Sequence, residues 1–202
     1  MKIAVLVSGN GSNLQALIDA EKSGSLAGGE IVVVISDNPD AFALTRAKKA
    51  GIESIVLEKQ DFKSREEFDK ELVRKLKDRK IELIVLAGFM RILTDTFIEE
   101  YKNRILNIHP ALLPSFKGTQ GIKDAFKSGV KITGVTVHFV EKEVDGGPII
   151  LQSNVCIDGQ DTEESLEEKI HIEEHKLYPV AVRLFVEGKL KIEGCKVKIM
   201  EG

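Results

Sequence analysis

Short apolar runs alternate with amphipathic stretches through the first half of the chain. Runs rich in β-branched residues predict strands, whereas apolar side chains at helical spacing predict helices. The predicted strands are Ile3–Val7, Ile31–Ser36, Ser54–Leu57, Leu83–Ala87 and Arg104–Ile108. The predicted helices between them are Ser12–Ser23, Ala41–Ala50, Ser64–Lys80 and Thr94–Tyr101. Because strands and helices alternate, we expect a mostly parallel sheet with helices on both faces.

The second half of the chain follows a different pattern, in which two long apolar runs flank a tight link and predict a hairpin. The predicted elements are a helix at Gly118–Ser128, strands at Val130–Val140 and Pro148–Ile157, a helix at Thr162–Glu187, and a closing hairpin of Leu190–Ile192 with Val197–Met200. Thr162 is the expected N-cap of the long helix, and Pro179 should bend or split it. No linker or repeat interrupts the pattern, so residues 1–202 are predicted to form a single domain.

Charge and composition argue against several classes of function. The 29 Lys and Arg residues against 32 Asp and Glu residues give a formal net charge of −3, which disfavours a general nucleic-acid-binding surface. No apolar run is long enough to span a membrane, and the N-terminal run ends at Ser8 without a signal-cleavage pattern. Cys156 and Cys195 lack the spacing of a metal or redox site. These features predict a cytoplasmic protein that binds neither nucleic acid nor membrane.

The segment Asn107–Pro110 closes the fifth predicted strand with two polar side chains. Residues two apart on a strand point to the same side, so Asn107 and His109 should stand next to each other. Asn107 offers an amide donor, and His109 can take or give a proton near neutral pH. Pro110 should end the strand, at the place where α/β sheets bind ligands. The alternative is a structural core histidine beside a turn asparagine.

A glycine-containing turn, Ser8–Asn13, joins the first strand to the first helix. Its glycines allow a tight turn, after which the N–H groups at the start of the helix can hold a phosphate group. No Gly-Lys-Ser/Thr follows, as a Walker loop would require, and the third glycine of a dinucleotide fingerprint is missing. Asp37, after the second strand, keeps a dinucleotide-binding alternative open. An ordinary strand–helix turn is the other alternative.

The buried strand Leu83–Ala87 runs into an apolar loop, Gly88–Leu93, that contains one arginine. Apolar side chains around free backbone groups suit a flat heterocycle that is hydrogen-bonded at its edge. Packing of these side chains into the core is the alternative, and it is the more common outcome for apolar residues at a strand end.

Asp145 lies in a turn, Val144–Pro148, between the two long strands of the second half. An Asp followed by two glycines usually marks only a turn. If Asp145 approaches His109, its carboxylate would orient the imidazole and raise the histidine pKa by stabilising the imidazolium. Spacing along the chain leaves that contact open.

His171 and His175 match a His-x-x-Glu-His zinc pattern on the long predicted helix. Residues four apart share a helix face, but a catalytic zinc needs a third protein ligand. The other two histidines are His109 and His138, and His109 fits the strand-end role better. We therefore expect no metal site.

In their order and spacing, these segments resemble the phosphoribosylglycinamide formyltransferase family of purine biosynthesis. The resemblance covers nearly the whole chain and rests on Ser8–Ala16, Leu86–Leu93, Leu106–Pro114, Val137–Val140, Asp145–Gln152, Glu174-His175 and Tyr178-Pro179. It implies a Rossmann-like, three-layer α/β formyltransferase fold, mostly parallel N-terminally with antiparallel strands added C-terminally. Residues 1–105 would form the nucleotide- and phosphate-binding half, and residues 106–202 the catalytic and folate-binding half.

The resemblance implies transfer of a formyl group from 10-formyltetrahydrofolate to the amine of 5′-phosphoribosylglycinamide, without a metal. The implied catalytic residues are Asn107, His109 and Asp145. The residues implied to bind the phosphate and glycinamide of the ribonucleotide are Gly11, Ser12, Asn13 and Glu174. The residues implied to bind folate are Arg65, Met90, Arg91, Ile92, Leu93, Asn107, Val140, Glu141, Lys142, Glu143 and Val144. The expected partners are these small molecules, and the expected assembly is a monomer or weak homodimer.

One position departs from the family pattern, and other activities stay open. The family often carries a histidine after the Leu-Leu-Pro element, where this chain has Gln120, which cannot carry a protonic charge. Any role of that histidine therefore cannot be assigned to this chain.

Hydrolysis of formyltetrahydrofolate and formylation of methionyl-tRNA are the related alternatives, although the acidic net charge fits tRNA poorly. A non-catalytic nucleotide-binding module is the alternative from a different class.

Overall fold

The computed structural model describes residues 1–200, in which nine strands form one sheet flanked by six α-helices. The strands are β1 (Lys2–Val7), β2 (Glu30–Ser36), β3 (Glu53–Val56), β4 (Leu83–Leu86), β5 (Ile105–His109), β6 (Ile132–Phe139), β7 (Ile149–Cys156), β8 (Leu190–Glu193) and β9 (Lys196–Ile199). The helices are α1 (Ser12–Lys22), α2 (Phe42–Ala50), α3 (Arg65–Asp78), α4 (Asp95–Glu100), α5 (Gly121–Ser128) and α6 (Glu163–Val186), with a 3-10 turn at Lys59–Asp61. Every predicted element is present, with its ends shifted by at most three residues.

The strand order places the two halves of the chain side by side in the sheet. The order is β3-β2-β1-β4-β5-β6-β7-β9-β8, with β1–β5 parallel and β6 antiparallel to β5 and β7. This confirms the predicted parallel sheet with antiparallel strands added to it, and the β6–β7 hairpin. The order reverses between β1 and β4, where α/β sheets bind ligands beyond the carboxyl ends of their strands.

The apolar side chains of β1 alternate between two cores, one on each face of the sheet. Ile3, Val5 and Val7 face the side that is covered by α1, α2 and α6. Ala4 and Leu6 face α3 and α4 on the other side. A strand with both faces buried is what a three-layer α/β fold requires of its central positions.

Helix ends follow the side chains that the sequence provides there. Thr94 caps α4 as predicted, because its hydroxyl accepts a hydrogen bond from the N–H of Phe97. Thr162 caps α6 in the same way through Ser165, whose hydroxyl accepts from the N–H of Thr162 and completes a capping box. Gly51 ends α2 at a φ of 76°, a left-handed conformation that glycine adopts without strain.

Two predictions for the second half need correction, and one feature was not predicted. Helix α5 begins at Gly121 rather than Gly118, because Gly118 has a φ of 92°, which is incompatible with a helix. Helix α6 runs unbroken through Pro179, whose missing N–H removes only one helical hydrogen bond while the buried Tyr178 anchors the helix. The closing hairpin of β8 and β9 is confirmed, and β9 also pairs with β7 to extend the sheet. None of the helices in residues 1–200 is long and apolar enough to cross a membrane.

Candidate active site

A cavity of about 450 Å³ opens at the carboxyl ends of β4 and β5, within the size range of small-molecule sites. All of the predicted folate-binding residues except Arg65 line it, and so do His109, His138 and Asp145. Asn107 and His109 therefore face the same space, as their spacing on a strand predicted. The cavity combines an apolar wall with one polar end.

Asp145 lies against His109, which is the contact that sequence spacing left open. Its Oδ2 lies 3.4 Å from Nδ1 of His109 and accepts a hydrogen bond from the backbone N–H of Gly118 at 2.8 Å. Asp145 adopts a φ of 52°, a left-handed conformation that is uncommon for a residue with a Cβ. Such backbone strain is frequent at functional sites, where surrounding contacts hold it in place.

His138 completes this cluster, although sequence reasoning gave it no role. Strand β6 pairs with β5 so that His138 lies opposite Asn107, with its Nε2 3.2 Å from Nδ2 of Asn107. The same Nε2 lies 3.6 Å from Oδ1 of Asp145. The predicted run of β6 contained the signal, but identifying the neighbour needs the register between β5 and β6, which sequence did not provide.

Burial sets the charge of this cluster. His109 is only 3% exposed, and burial lowers its pKa, although Asp145 and the carbonyl of Phe116 act in the opposite direction. Asp145 acts in the predicted direction, but the net shift of the His109 pKa is downward because the loss of water outweighs the carboxylate. Burial acts to raise the pKa of Asp145, but its polar contacts, among them the hydrogen bond from the N–H of Gly118, bring it below its ordinary value. At neutral pH Asp145 is therefore a carboxylate that lies beside a neutral His109.

In the loop after β4, Met90 and Ile92 form an exposed rim of the cavity, whereas Leu93 is buried in the core. Met90 is 68% exposed and Ile92 is 62% exposed, so core packing does not account for them. Arg65 lies outside the cavity, and its guanidinium donates to the carbonyl of Ile92 at 2.8 Å. The Arg91 guanidinium lies 3.8 Å from the centre of the Phe68 ring. Both arginines therefore hold the loop in place.

The predicted phosphate turn lies outside this cavity, at the start of α1. Gly11 precedes the helix with a φ of 75°, and a Cβ there would lie 2.6 Å from the Cβ of Ala43. Nδ2 of Asn13 donates to Oε2 of Glu174 at 3.0 Å, so α6 brings Glu174 to the turn across 161 residues of chain. Glu174 is 4% exposed, and burial raises its pKa. Within residues 1–200, the buried Oδ1 of Asn13 has no hydrogen-bond partner.

Ser8 links the phosphate turn to the rim of the cavity, a connection that sequence reasoning did not identify. Its hydroxyl accepts a hydrogen bond from the backbone N–H of Met90 at 2.9 Å. Its own N–H donates to the carbonyl of Gly88 at 3.1 Å. The two predicted binding regions are therefore neighbours at the carboxyl edge of β1 and β4.

The histidines of the zinc pattern stack against each other, with the ring centroids of His171 and His175 6.2 Å apart. In the part of the chain that the structure describes, no group of three His, Cys, Asp or Glu side chains is placed to hold a metal ion. Gln120, at the position where the family often has histidine, is the residue that precedes α5.

Comparison with known proteins agrees with this architecture. The family profile described as "Formyl transferase" matches residues 1–182. A phosphoribosylglycinamide formyltransferase of Escherichia coli is 44% identical over 192 residues, which cover 95% of this chain and 90% of that protein. The crystal structure of glycinamide ribonucleotide transformylase 1 from Symbiobacterium toebii superposes with a TM-score of 0.97 at 45% identity, covering 100% of this chain and 94% of that one.

Other similar proteins are much longer. The trifunctional purine biosynthetic protein adenosine-3 of Chironomus tentans is 49% identical over 95% of this chain. The matched region spans only 14% of that protein's length. The similarity to the trifunctional protein is therefore a similarity to one of its parts.

Proposed function

The chain belongs to the formyl transferase family, and from that premise we propose that it transfers the formyl group of 10-formyltetrahydrofolate to the amine of 5′-phosphoribosylglycinamide. This step is part of purine biosynthesis. The observation that carries the proposal is the convergence of Asn107, His109 and Asp145 at the polar end of one cavity.

Two neighbouring regions suit the two substrates. The cavity, with its apolar rim and the loop Val140–Val144, suits the pteridine of the folate. The start of α1 suits the phosphate of the ribonucleotide, because helix N-terminal N–H groups and the helix dipole favour an anion there. Glu174 lies at that turn and suits the hydroxyl or amine groups of the ribonucleotide. The reacting amine and formyl carbon would then meet near His109.

The reaction needs a donor to an oxyanion and a carrier for one proton. The amine attacks the formyl carbon, a C–N bond forms, and the carbonyl oxygen becomes an oxyanion that the Asn107 amide can stabilise. The amine proton passes to the neutral His109. The bond from the formyl carbon to N10 of the folate then breaks, and N10 takes the proton that His109 holds. No metal ion or covalent intermediate with the protein takes part in this sequence.

Asp145 stabilises the protonated form of His109, as the sequence suggested, but His109 begins the reaction as a neutral imidazole. Because burial lowers the His109 pKa, the free protein holds this imidazole neutral and ready to accept a proton. Once the proton arrives, the carboxylate 3.4 Å from Nδ1 stabilises the imidazolium until His109 gives the proton to N10 of the folate. Holding both substrates in register supplies much of the remaining rate enhancement.

The experiment is a spectrophotometric assay with 10-formyltetrahydrofolate and 5′-phosphoribosylglycinamide as substrates. We expect 10-formyltetrahydrofolate to be converted to tetrahydrofolate only when the ribonucleotide amine is present. Folate release without the amine would support the hydrolase alternative, and activity with methionyl-tRNA the tRNA alternative. Affinity for a dinucleotide without any formyl transfer would support a binding module.

We further propose that the protein acts in the cytoplasm on these small molecules as a monomer or weak homodimer.

A further inference from the structure

Two histidines flank Asp145, and a backbone carbonyl engages the far nitrogen of each ring. Nε2 of His109 lies 2.7 Å from the carbonyl oxygen of Phe116. Nδ1 of His138 lies 2.8 Å from the carbonyl oxygen of Phe139. A carbonyl oxygen only accepts hydrogen bonds, so each of these nitrogens carries the ring proton. A neutral imidazole has a single ring proton, so in their neutral forms the two rings are held in opposite tautomers.

This assignment fixes what the other nitrogens can do. In the neutral rings, Nδ1 of His109 and Nε2 of His138 carry lone pairs and act only as acceptors. The distances of these atoms from the Asp145 oxygens, 3.4 Å and 3.6 Å, agree with this, because neither is a short charge-assisted hydrogen bond. Nδ1 of His109 is then the atom that takes and returns the proton in the proposed reaction.

The tautomer of His138 also decides which way the Asn107 side chain points. Nδ2 of Asn107 lies 3.2 Å from Nε2 of His138. Because that nitrogen can only accept, Asn107 must present its NH2 group there and not its carbonyl oxygen. One N–H of the amide is used by His138, and the second remains available to the cavity that Asn107 lines.

We propose that His138 is a positioning residue, which holds the Asn107 amide so that an N–H, and not the carbonyl oxygen, meets the developing oxyanion. A flipped amide would place two partially negative oxygens together and would oppose the reaction. This inference rests on the proposed formyl transfer.

The surroundings of His138 suit a fixed orientation. The residue is 2% exposed, and a register shift in the β6–β7 pairing occurs between Val137 and His138. Such irregularities re-aim side chains next to active sites. Gly147 packs so closely on Phe139 that a Cβ at Gly147 would lie 1.9 Å from the Phe139 carbonyl oxygen. This packing keeps in place the carbonyl that sets the tautomer.

The kinetic test compares His138→Leu, which removes the acceptor, with His138→Gln, whose amide oxygen can replace Nε2. We expect His138→Leu to lower kcat by about 10- to 100-fold, the usual range for loss of an orienting partner. Both KM values should stay within about twofold, and His138→Gln should recover most of the lost kcat. In an Asn107→Ala background, His138→Leu should cause little further loss, because its effect passes through Asn107. Equal losses in both backgrounds would overturn the proposal.

A second measurement does not depend on activity or on the folding of variants. Long-range proton–nitrogen NMR of the ¹⁵N-histidine-labelled wild-type protein, at about pH 8 where imidazoles are normally neutral, reports which ring nitrogen carries hydrogen. We expect Nδ1–H for His138 and Nε2–H for His109, with His138 signals assigned by their loss in His138→Gln. Nε2–H in His138 would overturn the proposal. The tautomers can be measured even if no formyl transfer is detected, so failure of the proposed function and failure of this inference are distinguishable.

Discussion

The two ends of the site differ in how far the protein satisfies its own polar groups. At the proposed catalytic end, where Asp145 meets the two histidines, each ring nitrogen of His109 and His138 lies near a carbonyl, an amide or the carboxylate of Asp145. At the proposed ribonucleotide end, at the start of α1, the buried Oδ1 of Asn13 lacks a hydrogen-bond partner among the described residues, and the buried carboxylate of Glu174 has a raised pKa. One end is complete without ligand, and the other is not.

This difference indicates what each end contributes. A buried polar group without a partner costs free energy, so the ribonucleotide end gains more than the catalytic end when a ligand supplies hydrogen bonds. The catalytic end is already arranged for the charge that develops in the transition state, which is where preorganised groups act. We therefore expect changes at the ribonucleotide end to affect KM and changes at the catalytic end to affect kcat.

The largest effect should come from Asp145→Asn. The amide is similar in size but cannot stabilise an imidazolium, so we expect kcat to fall by about 10²- to 10⁴-fold, the range for acid–base groups. Both KM values should change little, and circular dichroism should show an intact fold. Asp78→Asn, at the exposed end of α3, is the matched control. Unchanged turnover in Asp145→Asn would exclude the proposed pairing with His109.

Substitutions at the phosphate turn should act on one substrate only. Asn13→Ala removes a buried amide, and loss of hydrogen bonds to charged groups costs about 1.5–3 kcal/mol. We expect the ribonucleotide KM to rise by about 10- to 100-fold, with a smaller rise for Ser12→Ala and no comparable rise in the folate KM. Steady-state kinetics with each substrate varied in turn provides this test. Equal effects on both KM values would contradict the assignment of the turn to the phosphate.

The pH dependence tests the charge of the catalytic end. Since burial lowers the His109 pKa, kcat/KM calculated for the unprotonated substrate amine should be constant above that pKa and fall as pH decreases through it, by about tenfold per unit. The fall should begin below about pH 6.5, the ordinary histidine value. In Asp145→Asn it should move to lower pH, because the carboxylate acts to raise the His109 pKa. A fall that begins above pH 7 in the wild type would mean that His109 is charged in the free protein.

Sequence predicted the fold well and the cluster only in part, for physical reasons. Strands such as β1 are set by local periodicity, and caps such as Thr94 by one hydrogen bond to the next turn, so both can be identified in a short stretch of sequence. The contact between Asp145 and His109 was identified only as possible, because the two residues lie far apart along the chain and only the assembled sheet brings them together. His138 was missed because its importance depends on pairing register, which is set by the whole sheet.

The net downward shift of the His109 pKa could not be predicted, for a related reason. The sequence shows the carboxylate that raises a pKa but not how far the ring is removed from water. For the same reason, the raised pKa of Glu174 could not be predicted, because it is caused by burial that comes from the packing of α6 against α1.

A smaller effect is expected for Glu174→Gln, which tests whether the ribonucleotide end is strained without ligand. The folded-state pKa of Glu174 lies above its ordinary value of 4.5, so the protein loses stability as pH rises through it. The neutral amide avoids this loss and should stabilise the free protein at pH 8 by about 1 kcal/mol, or about 2–4 °C in Tm for a domain of this size. Near pH 4 the gain should vanish. A lower Tm at pH 8, measured by calorimetry, would mean that Glu174 is already satisfied by Asn13.

The smallest effect should come from Glu99→Gln, which tests whether the order of the loop before Asp145 depends on exposed charges. Lys142 joins that loop to α4 through Glu99 at 3.1 Å and Asp95 at 3.6 Å. Exposed ion pairs of this kind contribute little, so the folate KM and kcat should each change by less than about twofold. Lys191→Met, which removes an exposed pair on β8, is the control. A fivefold or greater rise in the folate KM for Glu99→Gln alone would show that surface charge, and not the buried contacts of Asp145, orders this loop.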